Sequence, residues 1–317
     1  MRKMQPTYMT RGRFVDGSYT SAYGTRAYKL YIPSGYSGQA LPLLAMLHGC
    51  SQDPDDFATG TSMNTLAELH TFLAVYPAQA SSANAGKCWN WFRPQDQQRD
   101  AGEPAFLAGL TRQIMAMYHV DATRVFVAGM SAGAAMSVIL GTTYPDLYAA
   151  VGAHSGLAYG AAHDLATALI AMWHGGPALA RGAADAPRAG APAWVVPTIV
   201  FHGDCDTTVD VVNADHVLAQ WVDADDGRDT TTGTDQGVTV ERGQVPGGHA
   251  YTRSIYHDPQ GRAIMEKWIV HQAGHAWSGG SPSGSHTDPR GPNASAEMVR
   301  FLSEHWQGWY QPLRVTA

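Results

Sequence analysis

Gly129-Met130-Ser131-Ala132-Gly133 is a G-x-S-x-G box between two apolar runs, Arg124-Val125-Phe126-Val127-Ala128 before it and Ala134-Ala135-Met136-Ser137-Val138-Ile139-Leu140 after it. The first run reads as a buried strand and the second as a helix packed under a sheet. Between them the glycines allow a turn so tight that the serine hydroxyl projects from the end of the sheet, with the helix N-terminus aimed at the same point. Such a serine does nucleophilic chemistry. A hydroxyl is a poor nucleophile at neutral pH, so it needs a base, and the base needs an acid to orient it.

On elbows of this kind the acid, then the histidine, follow the serine in the chain. After the apolar run Thr198–Phe201 comes His202-Gly203-Asp204-Cys205-Asp206, with two acids just past a strand end. Asp206 lies farther into the loop, where its side chain turns more readily toward the serine, and is the expected acid. Asp204 is the alternative; its other role is to hydrogen-bond the turn backbone. For the base, His275 stands in Gly274-His275-Ala276-Trp277, directly after Trp268-Ile269-Val270. His249, His257, His271 and His286 read as solvated or locally hydrogen-bonded. A tetrahedral intermediate also needs donors for its oxyanion. The elbow offers the N–H of Ala132, and the turn His48-Gly49-Cys50-Ser51 after Leu43–Leu47 offers that of Cys50, with Ser51 as the alternative. A base of this kind must be neutral, so activity is expected to fall in acid. The set requires neither a metal nor an organic cofactor. The chain has no C-x-x-C, and its one i, i+4 histidine pair is His271, at the end of the run Glu266–His271 that reads as a strand, and His275 beyond it, at different depths along an extended segment.

The elements that must position these residues are those of a single α/β domain spanning 1–317. Of the 317 residues, 44% are hydrophobic, and strand-like and helix-like segments alternate through most of the length, enough for a large core. Net charge is −6, with scattered Lys and Arg and no basic stripe, so nucleic acid is not an expected partner. No apolar run reaches the roughly 18 residues of a membrane span. The start, Met1-Arg2-Lys3-Met4-Gln5-Pro6-Thr7, is charged but has no apolar stretch behind it and does not read as a signal peptide.

Residues 12–32 alternate around Asp16-Gly17 and Tyr23-Gly24 as an edge hairpin, while Leu43–Leu47 and Phe72–Tyr76 read as buried parallel strands. Residues 53–71 carry a helix opened by Asp53-Pro54, with Leu66 and Leu69 on its apolar face. A second helix runs from Glu103 to Tyr118 on the stripe Phe106, Leu107, Leu110, Ile114, Met117. Ala149–Ala153 and Pro197–Phe201 read as further strands, and Tyr251–His271 as two strands and a turn. Residues 156–196 read either as a cap-like insertion over one end of the sheet or as a plain surface helix and loop. Residues 223–237 and 278–296 read as loops, and 296–305 as a closing helix.

Taken together, these pieces resemble polyhydroxybutyrate-depolymerase-type esterases of the α/β-hydrolase fold. The matching segments are His48-Gly49-Cys50-Ser51-Gln52, Lys87-Cys88-Trp89-Asn90-Trp91-Phe92, the Ser131 box, His202-Gly203-x-x-Asp206 and Gly274-His275-Ala276-Trp277-Ser278-Gly279-Gly280, spread over nearly the whole chain. The resemblance implies a mostly parallel central sheet with helices on both faces. It also implies the triad Ser131, Asp206, His275 and an oxyanion hole at Cys50 and Ala132. The substrate it implies is a carboxylic ester, either an aliphatic polyester such as poly(3-hydroxybutyrate) or its oligomers. Relatives with similar cores act as feruloyl and acetylxylan esterases, and a non-catalytic binding module on the same fold is a remote alternative. Trp89, Asn90 and Trp91 are candidates for a substrate wall, one tryptophan lining the cleft and the other packing inward. Trp277, beside the base, is either a cleft or a core residue. Cys50 and Cys88 are expected to form a disulfide, the alternative being two buried thiols. The disulfide, if present, points to an oxidising, extracellular or periplasmic compartment and leaves Cys205 free.

Overall fold

The computed structural model of the chain describes residues 12–176, 195–221 and 237–307. Most of the Ala/Gly/Pro-rich part of the 156–196 insertion, and nearly all of the 223–237 stretch, lie outside these residues.

Ten strands form one sheet in the order β1-β2-β4-β3-β5-β6-β7-β10-β9-β8. They are β1 (Arg13–Ser21), β2 (Gly24–Ile32), β3 (Leu41–Leu47), β4 (Leu73–Pro77), β5 (Val120–Met130), β6 (Ala150–His154), β7 (Thr198–Gly203), β8 (Val238–Gln244), β9 (Ala250–His257) and β10 (Ala263–Val270). The six central strands, β4-β3-β5-β6-β7-β10, are mutually parallel, and antiparallel β1-β2 and β9-β8 flank them. This is the α/β-hydrolase fold, a mostly parallel sheet covered on both faces.

Side-chain alternation explains why the central strands are apolar throughout. Leu43, Ala45 and Leu47 of β3 and Val125 and Val127 of β5 face one core. Leu44, Met46, Phe126, Ala128 and Met130 face the other. The first core is covered by α3 (Gly102–Met117), α4 (Ala132–Thr143), α5 (Leu165–His174) and α6 (Val212–Ala219). The second is covered by α1 (Pro54–Thr61), α2 (Met63–His70) and α7 (Ala294–Glu304).

Several boundaries differ from the sequence reading. Asp16-Gly17 lies inside β1, and the hairpin turns at Ala22-Tyr23, one residue before the expected Tyr23-Gly24. The expected 53–71 helix is two helices, broken at Ser62, whose φ is 54°. Leu69, expected on its apolar face, is 72% exposed, and Met117 at the end of the α3 stripe is 58% exposed. The edge strand β8 has no expected counterpart, because its mostly exposed residues show no apolar alternation.

What matters for function is where the parallel strands end. β3, β5, β6, β7 and β10 run in the same direction, so His48, Ser131, Ser155, Asp204 and His271 all begin loops at one edge. The chain passes from β3 outward to β4 and then back across to β5, so the strand order reverses between β3 and β5. In open α/β sheets ligands bind at this reversal, outside the carboxyl ends of the strands. Glu266 fixes the far side: Arg253 of β9 and Arg300 of α7 both pair with its buried carboxylate, which also accepts from the Trp268 indole. β10, which leads to His275, is held between its neighbours by these contacts.

Candidate active site

Ser131 stands between β5 and α4 with φ 55° and ψ −121°, a conformation that a side chain rarely adopts and that surrounding structure must enforce. The enforcement is steric. A Cβ on Gly133 would collide with the Leu47 carbonyl oxygen, and one on Gly129 would lie 2.5 Å from the Gly133 carbonyl carbon. Only glycines allow α4 to start this close to β3 and β5. The Ser131 N–H donates to the His154 carbonyl at 2.9 Å, which pins the elbow to β6.

Asp206 and His275 meet. Asp206 Oδ2 accepts from His275 Nδ1 at 2.7 Å, while Oδ1 accepts from the N–H groups of Thr208 and Val209 at 2.9 Å each. Burial pushes the Asp206 carboxyl up, but the hydrogen bond and charge of His275, with the two backbone donors, outweigh it and hold the group below the usual carboxylate range. The bond at Nδ1 leaves Nε2 as the imidazole nitrogen that can serve a hydroxyl. Asp204 is engaged elsewhere: it accepts from His271 Nδ1 at 2.8 Å and from the Gln272 N–H at 2.6 Å. His271 Nε2 pairs with Thr252 Oγ1, so His271 and His275 serve different partners.

The turn after β3 is held from several sides. His48 Nδ1 donates to the Gly49 carbonyl at 2.7 Å, and His48 Nε2 accepts from the Gln79 N–H at 3.1 Å. Those two bonds fix the tautomer. The Gly49 carbonyl belongs to the peptide whose N–H is that of Cys50, so the imidazole orients that donor. Gln52 Oε1 takes the Gly49 N–H at 2.9 Å, and its amide nitrogen donates to Asp56 and Ser285. Ser51 gives its N–H to the Gly86 carbonyl at 2.7 Å and so has none to offer an oxyanion. The turn lies against the elbow: a Cβ built on Gly49 would come 3.5 Å from Ser131 Cβ.

Cys50 and Cys88 form a disulfide across a sequence separation of 38. Closing a loop of that size removes about 4 kcal/mol of unfolded-chain entropy, on a chain-entropy argument. Cys205 is free and exposed.

The expected substrate wall requires correction. Trp89 is 0% exposed and packs against the His48 ring, Trp91 is buried against Phe92, and Asn90 is 2% exposed. The Asn90 backbone and amide nitrogens both donate to the buried carboxylate of Glu103, which also accepts from Gln79. Trp89, Asn90 and Trp91 therefore brace the Cys50 turn from inside and expose little surface to an acyl chain. Trp277 is likewise core, 1% exposed, its indole donating to Ser295 Oγ at 3.0 Å. Sequence reasoning had no means of finding Glu103 and Gln79. A single carboxylate or amide between apolar runs carries no signal of burial.

Burial disfavours the charged form of three histidines at this edge, His48, His154 and His202. Burial, with the neighbouring charges of His202 and His275, holds the His154 ring down at about 3; burial lowers His48 and His202 as well. Unfolded, each ring takes a proton near pH 6.5. The unfolded chain thus binds protons first, and stability that is whole above that pH is lost as pH falls toward 3. Glu103, whose carboxyl burial raises, acts in the opposite sense. We expect the denaturant midpoint to fall between about pH 6.5 and 4, His154 alone accounting for about 3 kcal/mol. An unchanged midpoint across that range would contradict neutral burial of these rings.

Comparison with known proteins places the chain in a family. The profile of the esterase PHB depolymerase family matches residues 26–245. Poly(3-hydroxyalkanoate) depolymerase C of Paucimonas lemoignei is 31% identical over 77% of this chain, and the match spans 57% of that protein. A probable acetylxylan esterase A of Aspergillus clavatus is 27% identical over 61% of this chain and 64% of its own length. The chain thus spans less than two thirds of the length of these relatives. Among solved structures, an acetyl xylan esterase from Aspergillus awamori superposes with a TM-score of 0.67 at 20% identity, covering 82% of this chain and 94% of that one. A thermostable esterase superposes with a TM-score of 0.51 at 13% identity, covering 93% of this chain and 63% of its own. At such identities these two superpositions speak to the fold. On the profile match and the Paucimonas relative, the chain belongs to the esterase PHB depolymerase family.

Proposed function

We propose that this protein is a serine carboxylesterase that hydrolyses aliphatic polyesters or their oligomers, poly(3-hydroxybutyrate) first among them. The observation that supports it most is the 2.7 Å bond from His275 Nδ1 to buried Asp206, at the sheet edge that carries the Ser131 elbow. In this reading His275 Nε2 takes the Ser131 hydroxyl proton as Oγ bonds to the ester carbonyl carbon. The N–H groups of Cys50 and Ala132 receive the oxyanion. The C–O bond of the ester breaks as His275 returns the proton to the departing alcohol, leaving an acyl group on Ser131. Water, deprotonated by the same ring, attacks that acyl group, and the acid leaves as Ser131 recovers its proton.

The family and the Paucimonas relative favour a hydroxyalkanoate ester. A second reading, an acetyl ester of xylan, is favoured by the names of several relatives and of the Aspergillus awamori structure. Side-by-side hydrolysis of a 3-hydroxybutyrate trimer, acetylated xylan and methyl ferulate distinguishes them. The proposal expects the highest kcat/KM on the trimer; a preference for acetylated xylan or methyl ferulate would overturn the substrate assignment and leave the serine chemistry intact. Labelling by a fluorophosphonate separates an active hydrolase from an inert module of the same fold. Among the described residues no helix is long and apolar enough to cross a membrane.

A further inference from the structure

We propose that His154 is a positioning residue for this reaction: its carbonyl holds the nucleophile elbow and its ring holds the segment that follows the base. One residue then sets where Ser131 and His275 stand relative to each other. The inference rests on the assignment of Ser131 and His275 made above.

His154 is the last residue of β6, between the strands that lead to Ser131 and to Asp206, and it is 1% exposed. It is therefore shut off from substrate. Its carbonyl accepts the Ser131 N–H at 2.9 Å. Its ring Nε2 accepts the N–H of Ser278, three residues beyond His275, also at 2.9 Å. An acceptor at Nε2 places the ring proton on Nδ1, which is directed to Ser155 Oγ at 3.1 Å. The ring stacks between Phe201 and Trp277, with centroids 5.9 and 5.0 Å away. Ser278 is held a second time, through its hydroxyl, by the Pro292 carbonyl at 2.7 Å. The loop that carries His275 thus has one footing on Asp206 and another on β6 itself.

Packing alone gives no reason for an imidazole here. A phenyl ring would stack equally well between Phe201 and Trp277 without burying a polar ring, which costs free energy unless its nitrogens are bonded. The histidine is explained by the Ser278 N–H, a buried donor that needs an acceptor. The titratable groups around the ring are His202, His275 and Asp206. The ring stays neutral beside them because burial opposes its protonation.

The test combines histidine 15N spectroscopy of the wild-type enzyme with kinetics on p-nitrophenyl butyrate. The spectrum is expected to show His154 neutral, with the proton on Nδ1, at every pH where the enzyme works. His154→Phe keeps the stack and removes the acceptor. Its kcat should fall at least about tenfold with KM within about twofold, the signature of misplaced reacting groups with binding retained. His154→Gln returns an acceptor near the Nε2 position and should recover kcat to within about threefold of wild type. A proton on Nε2, an undiminished kcat in His154→Phe, or equal impairment of both variants would overturn the inference. If His154→Phe does not fold, the spectrum and the Gln variant decide. Ser131→Ala, assayed alongside, keeps the two readings apart. An active Ser131→Ala would sink the serine assignment, whereas an inactive one beside a fully active His154→Phe would sink only the role of His154.

Discussion

Replacing Ser131 by alanine is expected to lower kcat for p-nitrophenyl butyrate by about 10⁶ while leaving the fold intact. In the proposed mechanism the hydroxyl oxygen is the atom that bonds to the acyl carbon, and alanine removes it. With the proposed base His275 and the proposed oxyanion donors, the N–H groups of Cys50 and Ala132, left in place, a residual enhancement of about 10³–10⁴ over the uncatalysed reaction should survive. Alanine leaves the strained backbone at φ 55° in place, because the strain is imposed by the close approach of Gly133 to Leu47 and by the bond to His154. Thermal unfolding of the variant should therefore match wild type to within a few degrees. A loss of tenfold or less would remove Ser131 from the nucleophile role.

Asp206→Asn should cost about 10⁴ in kcat, for a reason visible in the hydrogen bonds. Oδ1 accepts from two backbone N–H groups, Thr208 and Val209, and only an oxygen can stay there. The asparagine amide nitrogen is then forced to face His275 Nδ1. Two donors cannot meet, so the imidazole carries its proton on Nε2 instead and presents Ser131 with a donor where it needs a base. The control is Asp204→Asn. Asp204 faces His271 and Gln272, and the change should leave kcat within about twofold. A similar loss from both variants would mean that the loop, and not the carboxylate at 206, is what matters. A loss below about tenfold in Asp206→Asn would take the acid out of the mechanism.

How far the sequence could be read depended on whether a residue type is forced by its surroundings. The elbow is legible because its backbone admits only glycine at 129 and 133, and steric demands of that kind leave a mark on residue type. The central strands are legible because a strand buried on both faces must be apolar throughout, as β3 and β6 are. The choice between Asp204 and Asp206 rests in sequence on distance from the strand end and on the resemblance of His202-Gly203-x-x-Asp206; the structure pairs the first with His271 and the second with His275. The tryptophans misled because indole suits a cleft and a core alike. Trp89 and Trp277 are in the core, one against His48 and the other against His154. Glu103, Gln79 and His154 were not legible as structural supports, since each is defined by partners distant in the chain. The break at Ser62 was missed because a left-handed φ on serine has no compositional sign.

The most direct test of the account is the site and rate of modification by a fluorophosphonate, read by mass spectrometry of the intact protein and its peptides. The account predicts one adduct, on Ser131, formed at least about 100-fold more slowly in His275→Ala, because the hydroxyl then lacks its proton acceptor. An adduct on another residue, or equal rates with and without the residue 275 imidazole, would contradict it.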